Sequence, residues 1–331
     1  MAILSMPLPW PWLALAFFVF VMLAVDALLL RGRARDPSMV ASAAITVFWF
    51  LVAAIFAAAI WYHRGAVQGI QFIAGYLLEW SMSLDNIFVF AVLFRYFQVP
   101  RQYQYKVLFW GILGAVVMRL AFILVGAALI EQFHFVLPLL GIFLVYTGLK
   151  FVWHSPADID PRKNIVFRMA RHWLPLAAVL ASEEADINAA GEKGPVDAAA
   201  IYGRGFFVRE NNRIVVTGLF LVVLVIESTD LLFAVDSVPA IFGVTRDPFI
   251  VFSSNLLAIL GLRAIYFLLA GALELFRYLH FGLAAILVFV GVKMIAELLW
   301  PDLVPVWASL VVIGGLLAVA IGASLTAGPE L

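Results

Sequence analysis

Long apolar runs recur along this chain, separated by short polar breaks. Nine of them, at roughly 10–30, 41–61, 70–94, 107–130, 136–153, 215–237, 251–271, 281–299 and 305–325, come close to the length that crosses a hydrocarbon core, which is about 20 apolar residues. None shows the two-residue alternation of a transmembrane barrel strand. Backbone N–H and C=O groups find no water in lipid, so the runs are expected as helices that satisfy their own hydrogen bonds. The pattern predicts an all-α polytopic membrane protein of about nine transmembrane helices. The first run is not an obvious cleavable signal, since no basic residue precedes it and no small-residue cleavage site ends it before Arg31.

Composition narrows the function classes. Hydrophobic residues make up 65% and charged residues 13%, against about 25% charged in ordinary soluble domains. A soluble enzyme, a disordered chain and a nucleic-acid binder are excluded, and the lipid bilayer is the expected surrounding. Lys+Arg and Asp+Glu each total 21, so net charge is silent about partners. Cysteine is absent, which removes disulfides, zinc-thiolate sites and thiol chemistry.

The location of the charges says more than their number. Arg31, Arg33 and Arg35 follow the first span, and Arg95, Arg101 and Lys106 follow the third. The opposite turns offer little beyond Arg64 and Arg246. The basic side is expected to be cytoplasmic, with the N-terminus outside and the C-terminus inside. Residues 154–213 hold eight basic and eight acidic residues and form the long cytoplasmic loop. Within it, 165–173 reads as an interfacial amphipathic helix and 183–200 as a flexible linker. Phe206–Glu210 and Arg213–Thr217 read as a β-hairpin around Asn211-Asn212.

The two halves resemble each other. Glu79 is followed six residues later by Asp85-Asn86, and Asp230 six residues later by Asp236-Ser237. Arg119 and Arg263 lie mid-span in the next helices. Leu-Val-aromatic-x-Gly-x-Lys then ends at Lys150 in one half and fits Leu287 to Lys293 in the other. A repeat of three helices re-enters the membrane from the opposite side, which predicts an inverted three-plus-three topology with a site between the repeats. The chain divides into a two-helix hairpin (1–65), repeat one (66–153), the loop (154–213), repeat two (214–300) and a final helix with its tail (301–331).

Glu79, Asp85, Glu227, Asp230 and Asp236 are carboxylates inside two repeat-related spans. Burying them is expensive unless a cation, a proton or an arginine compensates. Asn86 and Ser237 add neutral oxygens. Such an oxygen-rich set suits Mg²⁺, Ca²⁺ or Mn²⁺, and no His lies near it. Glu79 and Asp85, six apart, do not share a helix face, so kinks or local unwinding near the aspartates are expected, helped by Pro239 and the serines of the third span. Arg119 and Arg263 are read as partners of the acids or as stand-ins for the cation, and Asn255 as a pathway residue or a helix N-cap. Asp26 is read first as an end-of-helix partner of Arg31.

Glu79-Trp-Ser-Met-Ser-Leu-Asp85-Asn86 resembles the first signature of the TerC family of integral membrane proteins. Ile226-Glu227-Ser-Thr-Asp230-Leu-Leu-Phe-Ala-Val-Asp236-Ser237-Val-Pro239 resembles the second, and Ser254-Asn255 through Arg263 to Phe267 continues it. The long central loop with its hairpin is similar to the Alx-like branch. This chain departs from that branch at Asn211-Asn212, where Asn-Gly is frequent, and at Thr217-Gly218, where Thr-Pro is common. The resemblance implies a bacterial cell-membrane location, manganese export and an association with tellurite resistance. The expected cargo is then Mn²⁺, with no permanently bound cofactor, no catalytic residues and protons as counter-ion. Asp85, Glu227, Asp230 and Asp236 are the first ligand candidates, followed by Glu79, Asn86 and Ser237. Three other readings stand beside it: a transporter of another divalent cation such as Ca²⁺, an intramembrane aspartyl protease, and a membrane scaffold in metal or tellurite stress. Five acids rather than two, and the repeat, fit ion handling better than proteolysis.

Overall fold

The structure is a computed structural model and describes residues 10–32, 39–133, 135–153, 168–170, 205–210, 213–269, 278–300 and 303–327. Nine long helices and one hairpin account for nearly all of them. In order they are α1 (Trp10–Gly32), α2 (Met39–Arg64), α3 (Ala66–Tyr96), α4 (Arg101–Gln132), α5 (Val136–Trp153), β1 (Phe207–Glu210), β2 (Arg213–Val216), α6 (Gly218–Phe242), α7 (Pro248–Leu269), α8 (Leu279–Leu299) and α9 (Val306–Ala327). Among the described residues, seven helices are long and apolar enough to cross a membrane, and α1 and α5 contribute the shorter apolar stretches Trp10–Val25 and Val136–Val152.

Polar side chains are held inside the bundle, among a buried apolar core, and the outer faces are apolar. The least apolar of the seven long spans, α3 and α7, are also the most buried, and every residue of α7 from Phe249 to Tyr266 is buried. The outer helices present large apolar side chains instead: Phe17 and Phe20 of α1, Ile55 of α2, Val117 of α4 and Val319 of α9 are all exposed. Lipid wets these surfaces without cost, while polar side chains gather where helices can satisfy them.

The most extensive interfaces join α5 to α8, α3 to α7, α2 to α7 and α4 to α6. Glycine permits the closest of them. A Cβ on Gly148 would stand 2.8 Å from the Ala284 carbonyl oxygen, and one on Gly291 would stand 2.6 Å from that of Gly141, so α5 and α8 touch backbone to backbone. Similarly, Gly75 of α3 faces Ser254 of α7, and Gly111 of α4 faces Ile226 of α6.

Polar ties at the helix ends follow an alternating path. Arg64 at the end of α2 pairs with Asp247 at 2.9 Å, just before α7, and Thr245 donates to Gln71 of α3 at 3.0 Å. Tyr266, near the end of α7, donates to Gln104 at the start of α4 at 3.0 Å. Buried Lys293 donates to the Gly243 carbonyl at 3.0 Å and closes the C-terminal end of α6.

The hairpin expected before α6 is present, with Phe207 opposite Val216 and Glu210 opposite Arg213. Thr217 donates to the Gly205 carbonyl at 2.9 Å, and the Phe206 ring lies against Trp110 and under the Lys106 ammonium. Within 165–173 only 168–170 are described, as helix; the 183–200 linker reading and the Asp26–Arg31 pairing lie outside the described residues and side chains.

The expected breaks are not observed. Helix α3 is continuous from Ala66 to Tyr96, and α6 from Gly218 to Phe242. Pro239 lies in the last turn of α6, where it forfeits only the bond to the Val235 carbonyl. The continuous helices α3 and α6 run side by side through this region, where Asn86 of α3 donates to Asp230 of α6 at 3.5 Å, and the acids do not all meet at one point.

Candidate functional site

Arg119 of α4 is the hub. Its side chain is 1% exposed, and its guanidinium reaches three other helices. It pairs with the Glu79 carboxylate of α3. It donates to both oxygens of Asp230 of α6, at 3.2 and 3.5 Å. It also donates to the Ser237 hydroxyl at 3.1 Å and to the Asn255 amide oxygen at 3.3 Å. Asn255 of α7 donates in turn to the second Glu79 oxygen at 2.9 Å, and Ser83 to the first at 3.4 Å. A planar fork of donors suits this task better than a point charge, because it serves two carboxylates and two neutral oxygens at once.

Asn255 is therefore interior to α7 rather than a cap. The cap belongs to Asp247, whose Oδ1 accepts from the Phe249 N–H at 2.9 Å.

Beside the hub lies a small cavity whose free space is on the scale of one water molecule. It is lined by Met82, Asp85 and Asn86 of α3, Phe233, Asp236 and Ser237 of α6, Arg119, Phe151 and Leu283. Asp85 is buried and Asp236 half-buried. Asp85 Oδ2 and Asn86 Oδ1 are buried acceptors with no hydrogen-bond partner among the described residues. Buried acceptors without a donor are rare and costly, so each needs a reason.

Glu227 stands elsewhere. Its half-buried carboxylate lies directly against Gly114 of α4, where a larger residue would collide with it. Arg263 is separate again, its guanidinium 4.2 Å above the Tyr105 ring. The sequence candidates thus fall into four places: Glu79, Asp230, Ser237 and Asn255 around Arg119; Asp85, Asp236 and Asn86 at the cavity; Glu227 at Gly114; and Arg263 at Tyr105. No three acidic or histidine residues converge closely enough to hold a metal among the described residues.

Sequence reasoning did not single out Met82, Phe233, Phe151, Leu283, Gly114 or Tyr105. Met82 and Phe233 carried a signal, since each precedes its aspartate by three residues and so shares its helix face. The others come from helices distant in sequence.

The sequence profile of the Integral membrane protein TerC family matches residues 64–329. The "Uncharacterized membrane protein STKORF319" of Myxococcus xanthus is 41% identical over 306 residues, covering 92% of this chain and 88% of its own. The "Putative membrane-bound redox modulator Alx" of Escherichia coli (strain K12) is 40% identical over 306 residues, covering 89% and 88%. Its namesake in Salmonella typhi is 39% identical over 310 residues, covering 91% and 89%. No solved structure matches the chain.

Proposed function

This chain belongs to the TerC family of integral membrane proteins, and from that premise we propose that it exports Mn²⁺ from the cytoplasm through the cavity between α3 and α6. The observation that carries the reading is the pair of buried acceptors, Asp85 Oδ2 and Asn86 Oδ1, at a cavity that Asp236 also lines. Carboxylate and amide oxygens around a space of this size are the donors a hard divalent cation takes. Asp85, Asp236, Asn86 and Ser237 supply those oxygens, and Asp230 and Glu79, bridged by Arg119, stand beside them to receive the ion or a returning proton.

The route follows from an inverted three-plus-three repeat, α3–α5 against α6–α8, with the N-terminus outside. Paired packing supports it. A shift of 143 residues carries the Gly148–Ala284 contact of α5 and α8 onto the Gly291–Gly141 contact. The α3–α7 interface has its counterpart in the α4–α6 interface. Met82 and Phe233, Asp85 and Asp236, and Asn86 and Ser237 then line the cavity as repeat-related pairs. A site so placed opens to either side when packed elements rock about it.

The name of the Escherichia coli relative speaks of redox modulation. Thiol–disulfide exchange has no residue to act on here, because the chain has no cysteine. Moving a metal ion that exported redox enzymes require is a route to such an effect.

The test is manganese flux from liposomes, with and without a pH gradient, for wild type, Asp85→Asn and Asp236→Asn. Each substitution keeps the shape and removes a charge, and each is expected to abolish manganese flux. Wild-type flux in both variants would overturn the site.

A further inference from the structure

Arg119 is already engaged by the acids that stand behind the cavity, and it also lines that cavity. Resting on the reading above, we propose that Arg119 is a tethered cation that competes with the transported ion for Glu79 and Asp230, leaving as the ion enters and expelling it on return.

The competition follows from charge and place. Glu79 and Asp230 come from different helices, and one guanidinium bridges them with its charge fully buried. Two ionised buried carboxylates without a cation between them are unstable, so while both stay charged a positive group must hold them. A divalent ion arriving at Asp85 and Asp236 is next to that guanidinium, since the same cavity is lined by all three. It gains the remaining acids only if the arginine withdraws. A monovalent ion cannot repay the exchange, because it brings no more charge than the group it displaces.

A tethered competitor lowers apparent affinity by the fraction of time it holds the site. The experiment titrates MnCl₂ by calorimetry into the purified full chain in nanodiscs and measures flux on the same variants. Arg119→Gln is expected to bind Mn²⁺ about tenfold or more tightly while its turnover falls, because nothing expels the ion. Damage to the fold would weaken binding and flux together. Should Arg119→Gln fail to fold with its acids exposed, Glu79→Gln/Arg119→Gln is compared with Glu79→Gln, and the same tightening is expected. Equal or weaker binding in the arginine variants, beside a wild type that binds and moves Mn²⁺, overturns the competition and leaves the exporter reading standing. A wild type that neither binds nor moves Mn²⁺ overturns both.

Discussion

The interface of α5 with α8 allows a sharp test, because its mates in the structure serve as controls. Gly291 has no spare room: an added Cβ would lie 2.6 Å from the Gly141 carbonyl oxygen and 2.9 Å from the Val145 backbone nitrogen. Both are main-chain atoms, so neither can swing aside. Reaching an ordinary contact distance requires the two helices to separate by roughly 0.7 Å. Overpacking of this kind costs about 1–3 kcal/mol, and the alanine recovers about 0.5–1 kcal/mol through its better helix propensity. The net loss for Gly291→Ala is about 0.5–2 kcal/mol. A melt of the purified protein in detergent should show a midpoint lowered by about 2–5 °C. Gly148→Ala, which meets the Ala284 carbonyl at 2.8 Å, should behave alike. Gly314→Ala and Gly315→Ala in α9 meet nothing within 4 Å, so only the propensity gain applies and their midpoints should hold or rise. Should Gly291→Ala melt with Gly314→Ala, the close approach of α5 and α8 would be wrong.

Two further outcomes follow from the fold. Lys293→Met keeps the side-chain length but removes the donor to the Gly243 carbonyl and the partner of Glu297; a loss of about 1–3 kcal/mol is expected in the same melt, with Glu297→Gln milder because that side chain is partly wet. Phe206→Ala removes the ring that meets Trp110, Phe220 and Lys106, so limited proteolysis should cut the hairpin faster while the helical melt is unchanged, and an unaltered cutting rate would show that this ring does not anchor it.

Much of this architecture could be read from apolar run length alone, since lipid forces a helix wherever about 20 apolar residues continue. Helix ends were less legible. Helix α3 begins at Ala66 and α4 at Arg101, several residues before their apolar runs, because Gln68, Gln71 and Gln102 through Lys106 continue a helix as readily as leucine does. Asn255 read as a cap or a pathway residue for the same reason: the chain turns at Asp247, eight residues earlier, and a local pattern does not say which polar residue marks the start. The acids were legible as expensive, and their six-residue spacing already set Asp85 off the Glu79 face and Asp236 off the Asp230 face. Which acids pair across helices was not legible, because that depends on which helices lie side by side and on Arg119 of a third helix, which bridges Glu79 and Asp230.

The burial of α7 from Phe249 to Tyr266 also has a mechanical consequence. A helix with no lipid face cannot tilt or slide alone; it carries α2 and α3, its broadest contacts, along with it. That block mixes pieces of both proposed repeats, and so does its counterpart, α4 with α6. A motion that kept each repeat intact would tear both of these interfaces at once. One that kept the mixed blocks intact would shear along the line between them. Glu79 and Asn255 sit on one bank of that line, Asp230, Ser237 and Arg119 on the other, and every hydrogen bond of the guanidinium to the first bank crosses it. The Arg119 cluster is thus what fastens the two blocks to each other.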